Sequence, residues 1–301
     1  MLHSAVPAAD KRRALRAGLA SGDLVRMPGA FSPLTAMAIA RAGFEGVYVS
    51  GAVVAADLGL PDIGLTTLTE VAGRAQAIAR ATDLPTLVDA DTGFGEPLNT
   101  ARTVQILEDA GIAGCHIEDQ VNPKRCGHLD GKSVVGLPEA VRRVRAAADA
   151  RRDPGFVVCA RTDVRGTDGL GAAIDRAKAL VDAGADMIFP EALANAAEFA
   201  ALREAVDVPL LANMTEFGKS TLLTAGTLRD IGVNAVIYPV TLLRLAMGAV
   251  TRALETITAD GTQAALVSDM QTRAELYDLL GYADYAKFDT TVFSHQYREQ
   301  P

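Results

Sequence analysis

The residues best equipped for chemistry gather in two short stretches. The first is NPKRCGHLDGK, residues 122–132, with one of the chain's three cysteines and one of its four histidines. Cys126 lies beside Lys124 and Arg125 and two residues before His128. Neighbouring cations stabilise a thiolate and lower the thiol pKa. This cysteine is therefore expected to exchange protons near neutral pH, as acid, base or nucleophile. Gly127 and Gly131 would let the segment move as a lid. The competing explanation is a flexible polar loop with an incidental cysteine. The second stretch is DADTGFG, residues 89–95. Asp89 and Asp91 are two apart on a run that reads as a strand, so both point the same way. Two carboxylates aimed into one mouth repel unless a cation or protons intervene. With no cysteine or histidine pair nearby, oxygen donors suit a hard cation, Mg2+ rather than Zn2+. Glu118 is placed to support the same ion through water. Here the competing explanation is an aspartate-rich turn capping the next helix.

Positioning such groups requires a rigid scaffold, and the sequence supplies a repetitive one. Apolar β-branched runs occupy residues 23–29, 46–51, 85–91, 114–120, 156–163, 187–192, 209–215 and 235–240, with helix-period segments between them. Near-continuous apolar runs separated by helices mark a parallel sheet covered on its outer side. Leu68, Val71, Ala75 and Ile78 recur at helical spacing, as do Leu98, Ala101, Val104 and Leu107; Pro138 stands where a helix begins. Four of the turns into strands carry a glycine, Gly43, Gly111, Gly184 or Gly232, in the position of a left-handed helix cap. The turns into the third, fifth and seventh runs carry proline instead. Two alternating turn types over eight βα units predict a closed (β/α)8 barrel rather than an open sheet. The whole chain, 1–301, is expected to be one such domain with a helical extension from about 258 to 301.

In a barrel of this kind the active site lies at the C-terminal ends of the strands. The runs turn polar there: Ser50 and Gly51, Asp89 and Asp91, Glu118 and Asp119, Arg161 and Asp163, Glu191, Asn213 and Thr215, Tyr238. Arg161 and Arg244 offer planar forks for carboxylates. With Asn213 and Thr215 they point to an anionic substrate bearing more than one carboxylate. Cys115 and Cys159 lie inside apolar runs and read as inert core thiols. His116 reads as a core or supporting residue, and His3 and His295 sit near the termini.

Composition narrows the class. Hydrophobic residues make up 49% and charged residues 22% of the 301, enough for a large core. The net charge of -8 with scattered Lys and Arg argues against a nucleic-acid partner. No apolar run is long enough for a membrane span. Residues 8–20 read as a short helix, and three cysteines do not complete a disulfide framework, so a reducing, cytoplasmic setting is expected.

In chain order, VDADTGFG, HIEDQ, KRCGH, ARTD, FPEA, ANMTEFG and MQTRAELY resemble the signatures of the isocitrate lyase/phosphoenolpyruvate mutase superfamily. The likeness runs from about Gly18 to His295 and is greatest to the 2-methylisocitrate lyase branch. The chain departs from it at YVSGAVVAADLGLPD, where other members carry a glycine-richer SGGG run. The resemblance implies a barrel whose eighth helix is exchanged between subunits, usually in a homotetramer. It implies Mg2+ held by Asp89 and Asp91, largely through water. It places the substrate's keto-acid half against Ser50, Gly51, Ala52, Asp62 and Arg161. Glu191, Asn213, Met214, Thr215, Arg244 and Arg273 would take the remaining carboxylates, with Cys126 and Gly127 closing over them. The implied reaction is a retro-aldol cleavage to pyruvate and succinate, as in propionate catabolism. Cys126 would be the proton donor, with His128, Arg161 and Glu118 in the catalytic group; the first base stays open. Isocitrate, oxaloacetate or phosphonopyruvate as substrate, and a non-catalytic dicarboxylate-binding paralogue, are the alternatives.

Overall fold

The computed structural model describes residues 4–129 and 131–295; residues 1–3, His3 among them, Asp130 and residues 296–301 lie outside the described residues. All eight apolar runs form strands: β1 (Val25–Pro28), β2 (Val47–Val49), β3 (Thr86–Asp89), β4 (Gly114–Glu118), β5 (Val157–Thr162), β6 (Met187–Pro190), β7 (Leu211–Asn213) and β8 (Ala235–Tyr238). Parallel pairing links β2-β3-β4-β5-β6 and, separately, β1-β8-β7. Single parallel bridges, Gly29 to Tyr48 and Ile188 to Leu210, join β1 to β2 and β6 to β7. Every strand thus has a neighbour on both sides, and the sheet closes into the expected barrel.

Strand alternation sorts the core. Met27, Leu87, Cys159, Met187 and Leu211 fill the inside of the barrel. Val47, Val88, Cys115, Ile117 and Val158 face outward beneath one group of helices, and Ala160, Ile188 and Val236 beneath another. The helix Leu68–Arg80 starts at a capping box between Thr67 and Glu70 and buries Val71, Ala75 and Ile78. In the helix Pro97–Asp109 the buried face is Thr100, Thr103, Val104 and Leu107. Leu98 is 86% exposed. The real stripe is turned by about one residue from the apolar one, because two threonines occupy inward positions. The four cap glycines have φ between 78° and 105°, the left-handed region their turns require.

The eighth helix breaks the pattern. Thr241–Asp260 is 20 residues long and buries none of them. Leu245, Met247, Val250, Leu254 and Ile257 along it are all exposed. A 3-10 turn, Ala264–Asp269, and two helices, Arg273–Leu279 and Tyr282–Phe293, follow, again with no buried residue. Among the described residues no helix is long and apolar enough to cross a membrane.

Candidate active site

The inner face of the barrel is apolar at its base and polar at its top. Residues two apart share a face, which pairs Tyr48 with Ser50, His116 with Glu118, Arg161 with Asp163, Phe189 with Glu191 and Asn213 with Thr215. Ser50, Asp89, Arg161, Glu191, Asn213 and Thr215 line one pocket of about 90 Å3 at the strand ends, with Cys126, Gly127 and His128 among its walls.

Arg161 is the hub of this pocket. Its Nε donates to Asp163 Oδ2 at 2.9 Å and its Nη2 to Asp163 Oδ1 at 3.1 Å. Nη1 lies 3.2 Å from Glu118 Oε2, and Nη2 lies 3.3 Å from Glu191 Oε2. The guanidinium sits 5.2 Å from the centre of the Phe189 ring. Burial works against its charge, but Asp163, Glu118 and Glu191 hold its pKa well above the usual range. The carboxylates respond differently. Burial pushes Glu118 well up despite Arg161, and neither Glu118 oxygen has a hydrogen bond. Burial also opposes ionisation of Glu191, yet Arg161 and then His128 hold it below the ordinary carboxylate range. His128 Nδ1 accepts from the Lys219 backbone N–H at 3.0 Å, so Nε2 carries the proton and donates to Glu191 Oε1 at 2.9 Å.

The acidic end lies beside the second strand. Asp89 accepts from the backbone N–H of Gly51 at 3.1 Å and of Asp91 at 3.0 Å. A Cβ on Gly51 would stand 2.9 Å from Asp89 Oδ2 and 3.1 Å from Asp91 Oδ1. Only glycine lets both carboxylates approach the same backbone. Burial, then the charge of Asp89, pushes Asp91 up to about 6. Burial opposes ionisation of Asp89 too, but His116, Lys124 and Arg161 bring it below its ordinary value. Since burial drives His116 itself down to about 4, its ring is neutral at pH 7 and Lys124 and Arg161 are the cations that act. Lys124 Nζ pairs with Asp62 and lies 2.8 Å from Asp91 Oδ1. Tyr48 Oη is 2.7 Å from His116 Nε2, which fixes that ring above Asp89. Among the described residues no three His, Cys, Asp or Glu side chains form a ready-made metal cage. The two carboxylates offer oxygen donors of the kind a hard cation takes.

The loop over the pocket rises from a pinned stem. Gln120 pairs with Val134 in an antiparallel bridge, and Val121 N–H donates to Ser133 at 2.9 Å. The Gln120 side chain holds the Arg125 backbone from both sides, at 2.8 and 2.9 Å. A Cβ on Gly127 would fall 2.4 Å from both Arg161 Nη2 and Glu191 Cγ, so the loop backbone presses directly on the hub.

A family model for phosphoenolpyruvate phosphomutase matches residues 15–258. The chain belongs to this family. It is 66% identical over 295 residues, covering 98% of this chain and 96% of the relative, to the probable 2-methylisocitrate lyase 2 of Corynebacterium glutamicum. Among solved structures, oxaloacetate acetylhydrolase in complex with 3,3-difluorooxalacetate superposes with a TM-score of 0.90 at 32% identity, over 97% of this chain and all of that one. Phosphonopyruvate hydrolase in complex with oxalate and Mg++ superposes with a TM-score of 0.84 at 29% identity, over 93% of this chain and 98% of that one.

The fold brings most of the site residues anticipated from this family's signatures together. Ser50, Ala52, Asp62, Asp89, Cys126, Gly127, His128, Arg161, Glu191, Asn213, Thr215 and Arg244 all line the pocket. Gly51 and Asp91 join through Asp89, and Glu118 lies behind Arg161. Met214 does not join: its side chain is in the outer core, and its sulfur accepts from the Leu223 N–H at 3.2 Å. It alternates with Asn213, so the two face opposite ways. Arg273 opens an exposed helix and lies outside the pocket of its own chain. Tyr238 faces an outer groove instead of the mouth, because Ile237 takes the inward position on β8. Tyr48 went unnoticed as a pocket residue, although its spacing from Ser50 was a usable signal. The expectation for Cys126 fails on electrostatics. Lys124 turns to the aspartates and Arg125 to solvent, while burial raises the Cys126 thiol pKa against the smaller pull of the His128 N–H. The thiol is therefore held protonated at neutral pH. Cys115 and Cys159 are fully buried, and burial raises both. Alkylation of the native chain by iodoacetamide should be confined to Cys126. Its rate should still be rising with pH at about 8.5, the ordinary thiol value. A rate that has levelled off by pH 7 would contradict this placement.

Proposed function

We propose that the protein is a carbon–carbon lyase that cleaves 2-methylisocitrate to pyruvate and succinate. The observation that carries this reading is a thiol kept protonated by burial, held by a loop whose next residue, Gly127, rests on Arg161 and Glu191. The similarity to a 2-methylisocitrate lyase over nearly the whole chain supports the substrate. In the reaction, a base at the mouth takes the proton of the substrate hydroxyl, whose oxygen becomes the keto oxygen of pyruvate. The C–C bond breaks, and its electron pair stays on the succinate carbon. Cys126 gives its proton to that carbon and is left as a thiolate near the Arg161 charge. Arg161, fixed by the two-point grip of Asp163, binds a carboxylate without having to reorganise. Glu191, ionised and held by His128 and Asn213, keeps the opposite wall rigid. Ser50, Gly51, Ala52 and Asp62 flank the keto-acid half; Asn213, Thr215 and Arg244 are at hand for the other carboxylates. Phe189, Ile237, Pro239 and Val240 give the pocket an apolar flank for the methyl group. Ligand pockets commonly measure about 300–1,000 Å3, so the lid must open to admit the substrate.

We assign Mg2+ to Asp89 and Asp91, with Glu118 reaching it through water. Six buried carboxylates, Asp89, Asp91, Glu118, Asp119, Asp163 and Glu191, surround the mouth. Four cationic side chains face them, Lys124, Lys132, Arg161 and Arg176. Lys124 also pairs with Asp62, so the mouth is acidic on balance, as the site of a divalent cation would be. Once bound, such an ion polarises the hydroxyl and keto oxygens of the substrate. The three unpaired cysteines fit action in the reducing cytoplasm.

The active form is a homotetramer of single-domain chains whose eighth helix, with the extension from about residue 258, is exchanged between subunits. A groove of about 430 Å3 on the outside of β1 and β8, lined by Pro28, Ile39, Phe44, Tyr238 and Leu242, supports this assembly. It lies where the eighth helix of a closed barrel would pack, and that helix leaves its own apolar side chains exposed. Large apolar surfaces of this kind mark protein contacts. Sedimentation of the whole chain should give a tetramer, and Leu254→Asp a smaller species; a monomeric wild type would rule the exchange out.

Given Mg2+ and equal concentrations of 2-methylisocitrate and isocitrate, the protein should release pyruvate roughly 10- to 200-fold faster than glyoxylate, the range expected for one methyl group in an apolar pocket. Faster glyoxylate release would replace this substrate with isocitrate. Metal and dicarboxylate binding without either product would point to the non-catalytic paralogue.

A further inference from the structure

We propose that Lys132 is a positioning residue for the reaction, a latch that holds the lid carrying Cys126 closed over Arg161. The claim rests on the proposed function only for the chemistry the latch serves. Lys132 lies at the end of the loop, one residue before the pinned stem at Ser133 and Val134. Its side chain is only 4% exposed and runs back under the lid. Nζ donates to the Gly127 carbonyl at 2.5 Å and to Asp163 Oδ1 at 2.8 Å. Asp163 is the fully buried carboxylate that grips Arg161, and its own backbone N–H donates to Asp119 Oδ1 at 2.9 Å. A single fixed carboxylate thus anchors both the anion-binding arginine and, through Lys132, the backbone next to the thiol.

Two glycines show how closely this arrangement is fitted. Gly127 has no room for a Cβ against Arg161 and Glu191, so the latched carbonyl belongs to the residue that touches the hub. Gly166 has no room for one either: its Cβ would lie 2.8 Å from Lys132 Cε and 3.1 Å from Nζ. Its missing side chain keeps the ammonium's seat open. Lys124, the other buried lysine of the loop, differs in kind. Its partners Asp62 and Asp91 lie at the metal end, where an arriving cation changes the charge balance. Asp163 is not a pocket wall, and Lys132 meets the pocket only through its charge on Glu191 and through Asp163's grip on Arg161.

The direct test is the rate at which iodoacetamide alkylates Cys126 in the whole chain, at fixed pH and without substrate. Cys115 and Cys159 are buried and stay silent, so one thiol reports lid opening. Lys132→Met should raise that rate about tenfold or more, since a buried charge-assisted hydrogen bond is lost. Removing a cation near a thiol raises its pKa and slows alkylation, so electrostatics cannot produce the increase. Gly166→Ala provides a second variant, placed on the helix Arg165–Asp182 rather than on the loop. Its new Cβ pushes Nζ off its partners and should raise the rate in the same direction. In turnover, both variants should lower kcat several-fold while KM moves little, because the barrel groups that bind substrate are untouched. Alkylation within twofold of wild type in both folded variants would overturn the latch. So would an activity loss carried entirely by KM. Since alkylation needs no substrate, a wrong substrate assignment leaves this result standing.

Discussion

Everything in the mouth of this barrel follows from the difficulty of burying one guanidinium. Arg161 sits out of water, and a buried charge is tolerated only when it is paired and hydrogen-bonded. Asp163 supplies the two-point grip, Glu118 and Glu191 supply flanking charge, and Phe189 supplies an aromatic face. Those acids in turn need cations or protons. Asp163 takes Lys132, and Asp119 takes Arg176. Burial raises the pKa of Glu118, whose oxygens have no hydrogen bond. The network fixes Arg161 before any substrate arrives, which is what makes it useful for binding an anion.

The same constraint explains why the lid carries two lysines besides its cysteine. The loop closes over an acidic mouth, and each lysine lands on a carboxylate of the barrel. Lys124 meets the aspartate pair and Lys132 meets the arginine's partner, with Gly127 wedged between them against the hub. The cysteine next to Gly127 is consequently buried without a cation of its own. Its proton is held rather than shed, which suits a group that must deliver a proton to a carbanion formed only after bond cleavage.

The barrel could be read from the chain because its signals are local. Apolar runs, capping glycines at Gly43, Gly111, Gly184 and Gly232, and polar strand ends each depend on a few neighbouring residues. The pairing of Asp89 with Asp91 follows from the two-residue period. What could not be read depended on where long side chains go. Lys124 sits next but one to Cys126 in sequence, yet its four-carbon stem carries the charge to Asp62 and Asp91. Arg125 is adjacent and points to solvent. Met214 stands between two pocket residues and faces the other way, a distinction the period supplies once the strand is fixed. Arg273 opens a helix that lies outside the pocket, a placement no local signal in the sequence gives.

The central claim is that the closed lid presents a protonated Cys126 as the proton donor. It is tested most directly by Cys126→Ser, assayed for turnover of 2-methylisocitrate and, separately, for Mn2+ binding. A serine keeps the shape but is a far weaker acid. Turnover should fall roughly 10²- to 10⁴-fold, the usual worth of a positioned general acid, while Mn2+ binding and thermal stability stay as in the wild type. A Cys126→Ser protein that cleaves 2-methylisocitrate at the wild-type rate would contradict the account.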